Sequence, residues 1–146
     1  ERDAAWSDAI ETALRNAEPE VSVEARTLLE RFRRGPLWAR WWTVAPQIIG
    51  REIPLLLQPE DATADGADDT QDIPLWAYAG AIDLLYRDPT DGCLVVADYK
   101  TDADPDPSRY APQLSTYARA MQRALRVSQA PRTELWLIAG DTIVTL

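Results

Sequence analysis

The run Leu94-Val95-Val96-Ala97 is apolar at every position and ends abruptly in Asp98-Tyr99-Lys100. A strand with one wet face alternates apolar and polar residues, whereas an unbroken apolar run beside a turn reads as a strand covered on both faces. Such a strand needs layers above and below it, so the chain must build a sheet flanked by other elements. The preceding Asp88-Pro89-Thr90-Asp91-Gly92 has the chemistry of a tight turn, which makes Leu75–Tyr86 a neighbouring strand and Cys93–Tyr99 the strand after it. Gln47–Leu57, rich in Ile and Leu, predicts one strand more. Upstream, helices are expected over 3–17, 23–34 and 37–42; Asn16 and Pro19 end the first, and Gly35-Pro36 stops the second. Thr101–Pro107 reads as a loop. Over residues 108–126 a helix would align Tyr110, Leu114, Tyr117, Met121 and Leu125, with Pro112 tolerated in its first turn. Glu134–Ala139 and Thr142–Leu146 complete the strands. The predicted order is ααα-βββ-α-ββ, a mixed sheet flanked by helices of the α/β or α+β class, and 146 residues suit one domain, 1–146.

Composition narrows the chemistry. The chain has one cysteine, Cys93, and no histidine. This excludes an internal disulfide, a zinc ribbon, an iron–sulfur cluster and every His-dependent catalytic triad. Hydrolysis would have to rest on carboxylates, lysine and hard cations. No apolar stretch approaches the roughly 18 residues of a membrane span, and the first residues show no leader pattern, so a cytoplasmic protein is expected. The net charge of −9 argues against a nucleic-acid partner when taken alone. However, six of the acidic residues (Glu60, Asp61, Asp65, Asp68, Asp69 and Asp72) lie in 58–74, which reads as an acidic loop. The rest carries local basic clusters at Arg31, Arg33, Arg34 and Arg40, and at Arg119, Arg123 and Arg126.

One constellation stands out. Asp98 and Lys100 are two apart on a strand and so share a face. The turn at 88–92 brings Asp83, on the neighbouring strand, toward Asp98. Two carboxylates beside a lysine suit a hard divalent cation, which can bind a phosphate oxygen and lower the pKa of water. The lysine can orient that water or stabilise charge developing on phosphorus. Gln113 and Tyr117, four apart, share a face of the following helix.

Gly80-Ala81-Ile82-Asp83, then Asp98-Tyr99-Lys100-Thr101, then Tyr110-x-x-Gln113-Leu114-x-x-Tyr117-Ala118 resembles the three-part signature of PD-(D/E)XK nucleases of the RecB and AddA type. The resemblance spans about residues 22–146. It implies a restriction-endonuclease-like fold and a Mg²⁺- or Mn²⁺-dependent (exo)deoxyribonuclease, without an iron–sulfur cluster. It further implies that Asp83, Asp98 and the Tyr99 carbonyl bind the metal, that Lys100 is catalytic, and that Gln113 and Tyr117 support the site or contact DNA. The expected partners are single-stranded DNA and the helicase domains of a larger helicase–nuclease acting in double-strand-break repair. On this reading the chain is the C-terminal fragment of that protein. Arg51-Glu52-Ile53-Pro54 resembles the family's preceding strand, which would bring Glu52 near the site. One departure is that the family usually carries a metal-binding histidine on an early helix; either that helix lies upstream of Glu1, or the residue is lost. The alternative function is a catalytically inactive nuclease-fold module that guides DNA or serves as structure.

Plainer roles compete at several positions. Tyr110 reads as core, while Tyr117 could be core or site and Gln113 could be a solvated residue. The tryptophans at 38, 41 and 42 read as packing rather than base-stacking residues. The arginines at 119, 123 and 126 read as a solvated flank rather than a phosphate contact, Glu52 as structural or exposed, and Cys93 as a small buried residue.

Overall fold

The computed structural model describes residues 2–57, 78–102 and 105–146. Three helices come first: α1 (Arg2–Leu14), α2 (Pro19–Arg34) and α3 (Pro36–Val44). Strands β1 (Ile48–Leu57), β2 (Tyr78–Arg87) and β3 (Leu94–Lys100) follow, then helix α4 (Ala111–Leu125) and strands β4 (Arg132–Leu137) and β5 (Thr142–Thr145). The five strands form one sheet in the order β1-β2-β3-β4-β5. All neighbours are antiparallel except β3 and β4, which run parallel and are joined by the α4 crossover that parallel pairing requires. The architecture is a mixed sheet flanked by helices, the restriction-endonuclease-like arrangement expected.

β3 is the central strand, with Val95, Val96 and Ala97 fully buried. Its side chains alternate between two cores. Val96 faces α4, packing with Ile82, Leu85, Leu114, Tyr117, Met121, Leu135 and Leu137. Val95 and Ala97 face the N-terminal helices, beside Phe32, Leu37, Val44, Leu84, Tyr86 and Trp136. Each large apolar side chain buried this way contributes about 1.5–3 kcal/mol. The order of the elements follows the periodicity; their ends follow local chemistry. The second helix begins at Pro19, four residues before the predicted start, because a proline at the first helical position has no amide to satisfy. Pro112 is likewise accommodated in the first turn of α4, behind a 3-10 turn at Pro107–Arg109.

Three expectations are corrected. Leu125, assigned to the buried stripe of α4, is 45% exposed, because the helix ends there and Arg126 caps it in a left-handed conformation (φ +53°). Cys93 is exposed rather than buried. It lies in the turn ahead of β3, where its N–H donates to Asp91 Oδ1 at 2.9 Å, instead of within the strand. The first helix ends at Leu14, short of Ala17. The acidic stretch 58–74 and the start of the predicted second strand, 75–77, lie outside the described residues.

The tryptophans pack. Trp38 makes edge contacts with Trp6, Phe32 and Trp42, while Trp41 meets Tyr99 and Trp136. Trp42 remains 41% exposed. Arg123 and Arg126 are exposed and Arg119 is half-buried.

Candidate active site at the fork between two strands

The β2–β3 ladder runs from Arg87↔Leu94 to Leu84↔Ala97 and stops there. One further step would pair Asp83 with Asp98. At that step the Asp83 carboxylate takes the place of a backbone acceptor: Asp83 Oδ2 accepts from the Tyr99 N–H at 2.8 Å. The strands therefore fork, with Asp83 in the crotch. The strict alternation of β2 breaks here as well, since Ile82 and Leu85 face the α4 core while Leu84 and Tyr86 face the other. Glu52, opposite Asp83 in the β1 register, has φ +48°, an uncommon conformation for a residue with a side chain.

An extended residue points its N–H and C=O the same way. The Tyr99 N–H faces Asp83, so the Tyr99 carbonyl also faces the fork. Lys100 faces the other neighbour, and its carbonyl accepts from Ile138 N–H at 2.8 Å.

Asp98 and Lys100 share the α4 side of the sheet, as their spacing predicts. Lys100 Nζ lies 2.6 Å from Asp98 Oδ2, and the two side chains are 24% and 9% exposed. The ammonium is the charged partner of this buried oxygen, and it also feels the charge of Asp83. Burial, then the neighbouring Asp83 charge, push the Asp98 carboxyl above its ordinary range, against the pull of Lys100. Burial works against the Lys100 ammonium too, but Asp98 and Asp83 outweigh it and raise its pKa. The pair is thus lopsided: the ammonium gains from the site, while the carboxylate remains short of positive charge.

Helix α4 closes this side. Gln113 Nε2 donates to the Tyr117 hydroxyl at 2.8 Å; Gln113 is exposed and Tyr117 is 3% exposed. The Tyr117 ring lies on Gly80, where a Cβ would stand 2.4 Å from the hydroxyl oxygen. Glycine is therefore required by close approach in the segment that leads to Asp83. Tyr110, expected as core, is half-buried, and its ring centre lies 4.8 Å from Lys100 Nζ. Sequence periodicity gave no sign of that stacking.

The structure thus brings Asp83, Asp98, Lys100 and the Tyr99 backbone to one fork. It pairs Gln113 with Tyr117 beside Gly80, on the helix that covers the same face. Glu52 is exposed on β1. Among the described residues no group of three or more Asp, Glu, Cys or His could hold a metal, so the carboxylate set here is a pair. That pair fits a hard cation: two neighbouring carboxylates of like charge, one of them buried, and a carbonyl on the same side.

The sequence matches the family model of the PD-(D/E)XK nuclease superfamily over residues 1–143. The chain belongs to that superfamily. The Asp98-Tyr99-Lys100 triplet has the D-X-K form of the superfamily's name, and Asp83, upstream of it, follows Ile82 where that name has proline. PD-(D/E)XK nucleases typically use divalent metals. A comparison with curated proteins found no match. Among the described residues, no helix is long and apolar enough to cross a membrane.

Proposed function

We propose that this chain is a metal-dependent DNA nuclease module that hydrolyses phosphodiester bonds. Membership of the nuclease superfamily supports the reaction class. The observation that carries the site assignment is the buried Asp98 carboxylate, which lies beside a second carboxylate and has the chain's sole lysine for its partner. Two neighbouring carboxylates served by a single lysine are short of positive charge, which a divalent cation can supply.

In this reading Asp83, Asp98 and the Tyr99 carbonyl hold Mg²⁺ or Mn²⁺. The bound cation would supply Lewis-acid polarisation of a phosphate oxygen and a more acidic water. Lys100 holds its ammonium at the rim, where it can orient the attacking water and offset charge developing on phosphorus. Asp83 has a second duty: accepting the Tyr99 N–H fixes the carboxylate and keeps the strands apart, so the carbonyl stays out of the ladder. Tyr117 and Gln113 brace the β2 segment through Gly80, and the exposed Gln113 can meet the nucleic acid.

The resemblance to RecB- and AddA-type proteins leads us to place the module at the C-terminal end of a helicase–nuclease in the cytoplasm of a bacterium. There it would cut single strands delivered by helicase domains during double-strand-break repair. The net charge of −9 agrees with a module whose DNA is held largely by other parts.

The test is cleavage of single-stranded DNA with Mg²⁺ or Mn²⁺ by this chain, its Lys100→Ala variant and a chain extended upstream. Metal-dependent cutting lost in Lys100→Ala is the expected result. Cutting only by the longer chain would show that the site needs an upstream residue, and none by either would favour the inactive, structural module.

A further inference from the structure

Lys100 has two neighbours, and the nuclease reading uses only one. Its ammonium lies 2.6 Å from Asp98 Oδ2 and 4.8 Å from the centre of the Tyr110 ring. The ring is firmly mounted. Tyr110 sits between the 3-10 turn Pro107–Arg109 and α4; its N–H donates to the Pro107 carbonyl at 3.1 Å, and its carbonyl accepts from Leu114 N–H at 3.0 Å. Asp106 caps the turn, accepting from Ser108 N–H at 3.0 Å and Ser108 Oγ at 2.7 Å. The Tyr110 hydroxyl donates to Asp102 Oδ2 at 3.2 Å, and the ring packs against the α4 core. The aromatic face is therefore a fixed surface, and lysine is the mobile partner.

A cation drawn to Asp98 would compete with Lys100 for the same oxygen. A long, flexible ammonium that loses its carboxylate normally swings into water. An aromatic face attracts an ammonium through its quadrupole, yet carries no net charge and is no ligand for a hard cation. We propose that Tyr110 is a positioning residue: its ring holds the Lys100 ammonium at the fork when Asp98 is engaged elsewhere. The proposal rests on the nuclease reading for its purpose, but the holding itself is measurable without catalysis.

Lys100 is the only lysine in the chain, so lysine-selective ¹³C labelling gives one side-chain signal. Stacking on a ring shifts that ε-methylene signal upfield. In the native chain the upfield shift is expected both without metal and at saturating Mg²⁺. Tyr110→Leu should abolish it and slow DNA cleavage about five- to tenfold, the range of a partly desolvated cation–π contact, mainly in kcat. Tyr110→Phe should keep the shift and restore most of the rate, because it removes only the hydroxyl bond to Asp102. Replacing Tyr110 by phenylalanines of increasing fluorination keeps the shape and should lower the rate stepwise as the quadrupole weakens. These near-isosteric variants keep the test valid even if Tyr110→Leu fails to fold.

Loss of the upfield shift on adding Mg²⁺ would overturn the proposal. So would a Tyr110→Phe variant as impaired as Tyr110→Leu, or rates indifferent to fluorination. A retained shift in a chain that cuts no DNA, alone or extended, would leave the holding intact and reject the nuclease reading instead.

Discussion

The two ends of the central strands each carry a half-buried cluster of carboxylates and cations, and the two are built to opposite rules. At one end, Asp88 accepts from Arg40 Nη2 at 2.7 Å and from Thr90 N–H at 2.9 Å, and pairs with Arg132. Glu134 beside it accepts from the Tyr86 hydroxyl at 2.5 Å, from the Trp136 indole at 3.0 Å and from Arg132 at 3.3 Å. Although burial opposes it, these bonds from Arg40, Thr90 and Arg132 hold the Asp88 carboxyl far below its usual range. At the other end, Asp98 is also buried, has one lysine for a partner and a like charge for a neighbour, and burial pushes its carboxyl up. Burial alone therefore does not mark a site. What separates the ends is the number of partners: the first cluster is multiply hydrogen-bonded and fastens α3 to the turn and to β4, whereas at the second a single lysine serves two carboxylates.

Substitutions should break this contrast in opposite senses. Asp98→Asn and Lys100→Ala are expected to cut single-turnover DNA cleavage by about 1,000-fold or more. Asp98→Asn should at the same time leave thermal stability unchanged or raised, since it removes a destabilised charge. A large fall in melting temperature would mean that Asp98 is structural. Asp88→Ala should do the reverse. Removing one member of a buried, multiply paired cluster costs roughly 3 kcal/mol, readable by urea unfolding, with cleavage per folded molecule within about twofold of native. A comparable loss of cleavage would erase the distinction.

Gly80→Ala drives a methyl group into Tyr117 and should cost about 1–3 kcal/mol. Adding Tyr117→Phe to it should recover part of that loss by removing the closest atom, whereas strictly additive effects would show that the contact does not matter. The smallest effect is in pH. Asp88 has a depressed folded pKa, so its contribution is present above its unfolded pKa and is lost as pH falls through the folded value. Asp98 has a raised folded pKa, so its cost is present at neutral pH and eases as pH falls through that value. Acid unfolding curves of Asp88→Asn should therefore lose part of the native decline, and those of Asp98→Asn should decline more steeply. Superimposable curves for all three proteins would count against both assignments.

Much of this was legible in the sequence, for reasons that also explain what was not. The unbroken run Leu94–Ala97 announced the central strand because burial on both faces abolishes alternation. Asp98 and Lys100 could be placed on one face from their spacing, and Asp83 opposite Asp98 from the turn chemistry of Asp88–Gly92. The α4 stripe was legible through its helical period. The fork itself was hidden, because it depends on a side chain replacing a backbone acceptor, and no pattern of apolar residues encodes that. The satisfied cluster was hidden because Arg40, Asp88 and Arg132 are more than forty residues apart in the chain and meet only through the fold. The Lys100–Tyr110 stacking was hidden because it depends on how the chain crosses from β3 to α4. Cys93 is exposed although a free cysteine is usually buried, because it lies in the turn ahead of β3 and its amide is held by Asp91.

The central claim is that the carboxylate pair at the fork is a cation site. Calorimetric titration of Mg²⁺ or Mn²⁺ into the native chain and into Asp98→Ala tests it most directly. Binding by the native chain that disappears in the variant is the predicted result, and equal affinity in the two proteins would contradict it.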